Sequence, residues 1–522
     1  MRRAAAAWLG LIALALTASV AFAARPAATA AKQKGKLVNS PIVVQRAWPP
    51  VVTIRAVVGS GSLADPAGQE GLALLCWTTA LRGAGDRDRS EIAEKLEALG
   101  AHVDFSVDKL SVTVVGEVLA DQLDAFIPLF SDILTRPRFD PAEIELARTQ
   151  LLSDVVESRD DDDALAHDAL PRYLYRGQPA GRPTGGTEKS LAAIDGAAVK
   201  SWHQKHAVAA NLRFGFAGAI DATAAQTIAQ TLAAKLSMQA QAKPPNFGKI
   251  GLSGRRLLLI DKPRRTQAQV LIAQPLVAST HKDSLALQVA NAVLGGAFTS
   301  RLNREIRELR GWSYSTWSAI SSAPQAGTLA LGFSPGNRDV APAIELAVKI
   351  VAELQQHGVT AAELRFAKDF LKGAHRASLE TADHELAQRL HAIVLGLPAD
   401  EIDTLPARIE SIDVKAVNRA LHEHLHPLDL VAVVVGSAKI LREKLENSAA
   451  QFAVEVIAAD AAPESTTGVG RAVSKIPVAE PPPTAPNADS DSEEEGETGP
   501  DEDGEAPEQA KDPTPKDKGE KP

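Results

Sequence analysis

Leu191-Ala-Ala-Ile-Asp195-Gly-Ala-Ala-Val199 leads through a helical stretch to His206 and then into the strand-like run Leu212-Arg-Phe-Gly-Phe-Ala-Gly218. The same grammar returns as Ile412-Asp413-Val-Lys-Ala-Val417, a helical stretch to His424, and Leu430-Val-Ala-Val-Val-Val-Gly436. Asp195 and Asp413, Val199 and Val417, and Gly218 and Gly436 are each 218 residues apart. Upstream, Pro141-Ala-Glu143 and Ala361-Ala-Glu363 each open a helix at a spacing of 220. Chance supplies one such match; an ordered series at nearly one spacing marks a duplicated chain.

Working outward, β-branched runs alternate with amphipathic helices. Val51–Val58 and Leu110–Val115 read as strands with partial alternation, as do Leu257–Ile260 and Ala268–Ala273 in the second half. Leu123, Phe126, Ile127, Phe130 and Leu134 recur at helical spacing within Ala120–Leu134, with Pro137 as a stop. The expected fold class is α+β: two tandem homologous lobes, at 46–236 and 255–458, each a sheet packed with helices. The Pro-, Gly- and Lys-bearing stretch 237–254 is the expected linker, and 24–45 an N-terminal extension.

At 522 residues the chain is too long for one ordinary core, and 45% hydrophobic with 23% charged residues is a soluble globular composition. The net charge of −9 is local: eleven acidic and no basic residues lie between Asp489 and Glu508, and the remainder carries +2. No nucleic-acid surface is indicated. From about Ala459 the chain is rich in Pro, Glu, Asp and Ser, which predicts a disordered acidic tail over 459–522. Arg2 and Arg3, the uncharged run Ala4–Val20 and Ala21-Phe22-Ala23 form a secretory signal peptide over 1–23. The expected location is therefore the periplasm or beyond, with no membrane association after cleavage. Cys76, the only cysteine, cannot form an internal disulfide and reads as a small buried hydrophobe.

The segment Gly59-Ser-Gly61-Ser-Leu-Ala-Asp65-Pro66-Ala-Gly68-Gln-Glu70-Gly71-Leu72-Ala73-Leu74-Leu-Cys-Trp77-Thr78-Thr-Ala-Leu-Arg82-Gly83, with the duplicated lobes, resembles the pitrilysin/insulysin (insulinase-like, M16) zinc peptidases. That family writes His-x-x-Glu-His on this helix, where two histidines four apart share zinc and the glutamate is general base. Here Leu74 and Thr78 stand at the two histidine positions and Trp77 at the glutamate. Leucine has no lone pair, tryptophan offers only an N–H, and a neutral threonine hydroxyl is a weak ligand. The family's third ligand falls near Asp154–Glu157; ungapped counting gives Val155, with Glu157 close by. The expectation is no metal in this chain.

Other clusters admit blander readings. His422-Glu-His424-Leu-His426 and His203-x-x-His206 occupy the same place in the repeat, at helix ends where His suits the local dipole. Asp160–Asp163 reads as a solvated turn, without the spacing of a calcium loop.

The second lobe is more specific. Gly295-Gly296-Ala-Phe-Thr-Ser300-Arg301-Leu302-Asn-Arg304-Glu305-Ile-Arg307-Glu-Leu-Arg310-Gly311-Trp-Ser-Tyr314 closely resembles the family's second-lobe signature, whose Arg and Tyr hold the substrate backbone and stabilise the oxyanion. Arg307 and Tyr314 match that pair. By spacing alone, Arg301, Arg304, Arg307 and Arg310 also fit a basic helix surface. The resemblance implies mostly antiparallel sheets, half of a clam-shell, and a division of labour in which a zinc-bearing homologous subunit supplies the metal. Extended or unfolded peptides would add a strand at Asp104, Phe105 and Ser106. Two other readings stay open: a stand-alone periplasmic peptide-binding scaffold, and an active zinc endopeptidase using unrecognised ligands.

Overall fold

The computed structural model describes residues 40–240, 247–248, 254–466 and 470–473. Its strands are β1 (Ile42–Gln45), β2 (Val51–Val58), β3 (His102–Val107), β4 (Val112–Leu119) and β5 (Leu212–Gly218) in the first half. The second half contributes β6 (Arg256–Asp261), β7 (Gln269–Leu276), β8 (Thr316–Ser321), β9 (Gly327–Phe333), β10 (Val431–Gly436) and β11 (Ala453–Ala458). The first sheet runs β1-β5-β2-β4-β3 and the second β11-β6-β10-β7-β9-β8. Laid side by side, β6 takes the place of β1, β10 of β5, β7 of β2, and β9 and β8 of β4 and β3. Every pairing agrees in sense: β1/β5 and β6/β10 are parallel, and the other equivalent pairs antiparallel. The second sheet differs only by the added edge strand β11.

The sequence anchors do equivalent work in both halves. Asp195 precedes α4 (Gly196–His206) and Asp413 precedes α8 (Val414–His424), and each carboxylate accepts the N–H three residues on at 2.7 Å. Val199 and Val417 are fully buried on the faces of these helices. Asp140 with Pro141 opens α2 (Pro141–Glu157), while Thr360 and Glu363 form a capping box on α6 (Ala361–Ala377).

The two halves also exchange helices. α3 (Asp162–Leu174) leaves the first half and lays Leu165, Ala169, Leu170 and Tyr173 against Leu258, Ile260, Leu271 and Val433 of the second sheet. Its counterpart α7 (Ala382–Val394) packs Leu386 and Leu390 against Val44, Val57 and Ala217 of the first sheet. Ion pairs fix both crossings. Arg55 donates to both oxygens of Asp383 at 2.6 and 2.7 Å, and Lys262 and Arg265 reach Asp162 at 3.0 and 2.8 Å. Asp161 caps α3, and Gln269 donates to Asp163 at 2.6 Å. Asp160–Asp163 is therefore an interlobe anchor rather than a solvated turn. The exchange explains the strand patterns. Leu257 and Leu259 face one core while Leu258 and Ile260 face the other, so β6 and β10 are continuously apolar.

Two boundaries shift. Ile42–Gln45 already belongs to the first sheet, before residue 46. The segment after Ala458, expected as disordered tail, is bonded to the body through Thr466 and again at Arg471: Arg172 forks onto Glu464 at 2.9 and 3.0 Å, Arg176 donates to Thr466 at 2.6 and 2.9 Å, and Arg255 and Arg471 exchange main-chain bonds of 2.9 Å. The expected signal peptide over 1–23, most of the expected linker 237–254 and the acidic run lie outside the described residues. Among the described residues no helix is long and apolar enough to cross a membrane.

Candidate functional site

The helix that would carry the metal motif is α1 (Leu72–Ala80). It starts where Gly71 adopts φ +92°, a conformation that disfavours any side chain, and where the Asp65 carboxylate accepts the N–H groups of Gly71 and Ala73 at 3.1 and 3.0 Å. Burial pushes the Asp65 carboxyl up to about 7, against the lowering effect of those two donors.

Leu74 and Thr78 are half-buried, four apart on one face of α1, while Trp77 is turned inward with no exposure. Its ring sits 5.5 Å from that of His203, and its Nε1 has no hydrogen-bond partner among the described residues. Leu74 lines a cavity of about 300 Å³ together with Asp154, Val155, Ser158 and Arg172, and the chain from Ala459 to Pro463 forms another wall. Of the residues near the expected third-ligand position, Asp154 and Val155 line this cavity and Glu157 does not. Asp154 faces a leucine and a valine there, and the other lining carboxylates are Asp168, paired with Arg172, and Asp460; among the described residues no histidine lines the cavity. Burial raises the pKa of Asp154, helped by the charge of Glu157. This donor set does not fit zinc. His203 and His206 supply no replacement: His203 Nε2 bonds the Leu134 carbonyl at 3.1 Å, His206 Nδ1 bonds Ser60 Oγ at 3.0 Å, and burial lowers both to about 4. They are neutral structural groups.

β3 is the free edge of the first sheet, with Asp104 and Ser106 exposed and Phe105 half-buried. The Phe105 amide donates to the Asp104 carboxylate at 2.7 Å, so an added strand bonding that amide must displace Asp104.

Of the four arginines of the second-lobe segment, Arg304 is exposed and the other three separate by their contacts. Arg301 donates to both oxygens of Glu363 at 2.7 and 2.8 Å and to the Gly358 carbonyl at 2.9 Å, and Arg310 pairs with Glu305 at 2.7 Å. Both are structural. Arg307 makes no ion pair among the described residues. Its guanidinium lies 4.4 Å from the Phe298 ring centroid and 5.0 Å from that of Tyr314. Tyr314 is 87% exposed and Phe298 62%. The local backbone makes this arrangement. Asn303–Glu308 is a π-helical turn, the geometry that recurs at functional sites, and Gly311 at φ +64° ends it and sends the chain towards β8. Phe298 is the residue that sequence reasoning passed over; an aromatic among small residues just before the arginines was its signal. Arg307 and Tyr314 thus come together, as do Leu74 and Val155, but none of the Arg307 cluster lines the cavity beside Leu74.

A duplicated α+β chain with this helix and this Arg–Tyr pair defines an insulinase-type fold, and the chain belongs to the M16 peptidase family. The family model described as insulinase (peptidase family M16) matches residues 42–188, and that described as peptidase M16 inactive domain matches 193–371; together they match more than half of the chain. Among particular proteins, it is similar to an uncharacterized zinc protease of Mycobacterium leprae, 25% identical over 71% of this chain and 83% of the relative. It is also similar to the non-peptidase homolog YmxG of Helicobacter pylori, 29% identical over 73% of this chain and 88% of that protein. The solved peptidase M16 inactive domain from Pseudomonas fluorescens shares the fold, with a TM-score of 0.72 and 23% identity over 77% of this chain and 96% of that one.

Proposed function

We propose that this chain is the non-catalytic subunit of a two-chain M16 peptidase, exported to the periplasm or beyond, which encloses and positions extended peptides for a zinc-bearing homologous partner. The carrying observation is Arg307: a guanidinium with no ion pair among the described residues, 4.4 and 5.0 Å from the ring centroids of the exposed Phe298 and Tyr314. A part-buried cation with no ion pair among the described residues, set beside exposed aromatics, is the composition of a contact surface rather than of a folding scaffold. The residues at 74, 77, 78 and 155 support the rest of the reading, since they leave the motif position on α1 without metal donors. Bound in the partner, zinc would activate water and polarise the scissile carbonyl. Arg307 would then donate from its planar fork to peptide carbonyls, and the Tyr314 hydroxyl would donate to the oxygen on which negative charge develops. The β3 edge would hold the substrate's main chain once Asp104 releases the Phe105 amide.

The test mixes this chain with a zinc-bearing homologue and an unfolded peptide. Cleavage should require both chains, and Arg307→Ala should lower kcat/KM on the order of 10²-fold with co-elution of the two chains unchanged. A partner fully active alone, with no effect of Arg307→Ala in the mixture, would overturn the proposal. Peptide binding by this chain alone in that case would favour a stand-alone binding scaffold, and stoichiometric zinc with cleavage by this chain alone would favour an independent endopeptidase.

A further inference from the structure

His424, at the C-terminal end of α8, does not behave like its repeat counterpart His206. It is partly exposed and its Nε2 lies 3.0 Å from Asp283 Oδ2, in the second lobe just ahead of α5 (Ser284–Asn291). His281 Nδ1 approaches the same oxygen at 3.8 Å, and the two imidazole rings stand 5.1 Å apart at 85°. One donor atom from each of the three residues falls within 4.8 Å of the others, the one such group of His, Cys, Asp and Glu among the described residues.

We propose that His281, Asp283 and His424 form a binding site for a borderline divalent transition metal of the zinc class, separate from the vacated motif on α1. The donor set, two imidazoles and one carboxylate, is one that zinc takes with a fourth position left open. Metal–ligand bonds of about 2.1 Å place tetrahedral donors roughly 3.4 Å apart, and the separations of 3.0 and 3.8 Å bracket that value. The surroundings are arranged as a second layer. Arg419 holds Asp283 Oδ1 at 2.9 Å and leaves Oδ2 to face the histidines. Gln274, fully buried, donates to the His424 carbonyl and accepts from the His426 amide, both at 2.9 Å, which fixes the end of α8. Ser279 anchors the turn that carries His281, with bonds of 2.7 Å to Leu395 and 2.9 Å to Ala323. The Asp283 amide donates to His281 Nδ1 at 3.2 Å. A bound metal would take over the lone pair used by this long contact. This site does not depend on the two-chain reading.

The experiment uses the full, untagged chain, stripped with chelator and titrated with cobalt(II) and with zinc. One equivalent of cobalt should bind with the visible bands of four-coordinate geometry, and zinc should displace it and raise the thermal midpoint. His281→Gln, which alters a part-exposed side chain and should preserve the far-UV dichroism, and His424→Gln should each weaken binding about 10–100-fold. Absence of saturable binding, or binding equal in wild type and both variants, would overturn the assignment.

Discussion

The two lobes share one topology and have diverged at matching places. In the first, the helix-to-strand passage at Leu96, Leu99 and Ala101 packs inward around the core, and α1 has become a core helix through Trp77. In the second, the corresponding passage carries Arg307 and Tyr314 outward, beside Phe298. The fold is therefore not what distinguishes a degenerate lobe from an equipped one. A few side chains at one helix face and one helix end do, and packing decides whether they can revert.

That contrast can be broken first at Trp77. Trp77→Glu, which restores the family's residue at that position, should destabilise the chain by about 4 kcal/mol or more, because it removes a buried indole and leaves an unpaired carboxylate in the core. Denaturant unfolding measures it, and a near-neutral result would mean that the first lobe is not committed to its present packing. Next come the exchanged helices. Leu386→Ala and Leu170→Ala should each cost about 2–5 kcal/mol, and each should shift one shared transition rather than a lobe of its own. Two separable transitions would show that the exchange does not couple the halves. A smaller, pH-dependent effect belongs to His203. Its folded pKa of about 4 lies below the ordinary value of 6.5, so the unfolded chain takes up the proton first as the pH falls. Stability present above pH 6.5 is lost towards pH 4, and His203→Gln should flatten that slope in thermal midpoints taken across the range. The smallest effect is Glu464→Ala, under about 1 kcal/mol, read as faster proteolysis of the segment from Ala459 to Thr466.

The duplication was legible because its anchors have local jobs. Asp195 and Asp413 cap helices, and Gly218 and Gly436 end strands, so each constraint acts within a few residues and survives as a visible letter. The vacated motif was legible for the same reason. The helix exchange was not, because α3 and α7 have ordinary amphipathic patterns that say which face is apolar but not which sheet covers it. The doubly apolar runs of β6 and β10 were the available hint. Phe298 was missed because cation–π pairing has no fixed spacing, and His281 because its neighbour His424 lies 143 residues away.

The stretch after β11 also gives the molecule a mechanical order of events. Tension on the C-terminal end would reach the Arg255–Arg471 main-chain bonds first, then Thr466 on Arg176, then the Glu464–Arg172 fork. Only after Pro463 lifted away would the pull reach β11, whose ladder to β6 must unzip along its length. A tug at that end therefore unroofs the cavity beside Leu74 while the second sheet still keeps its edge.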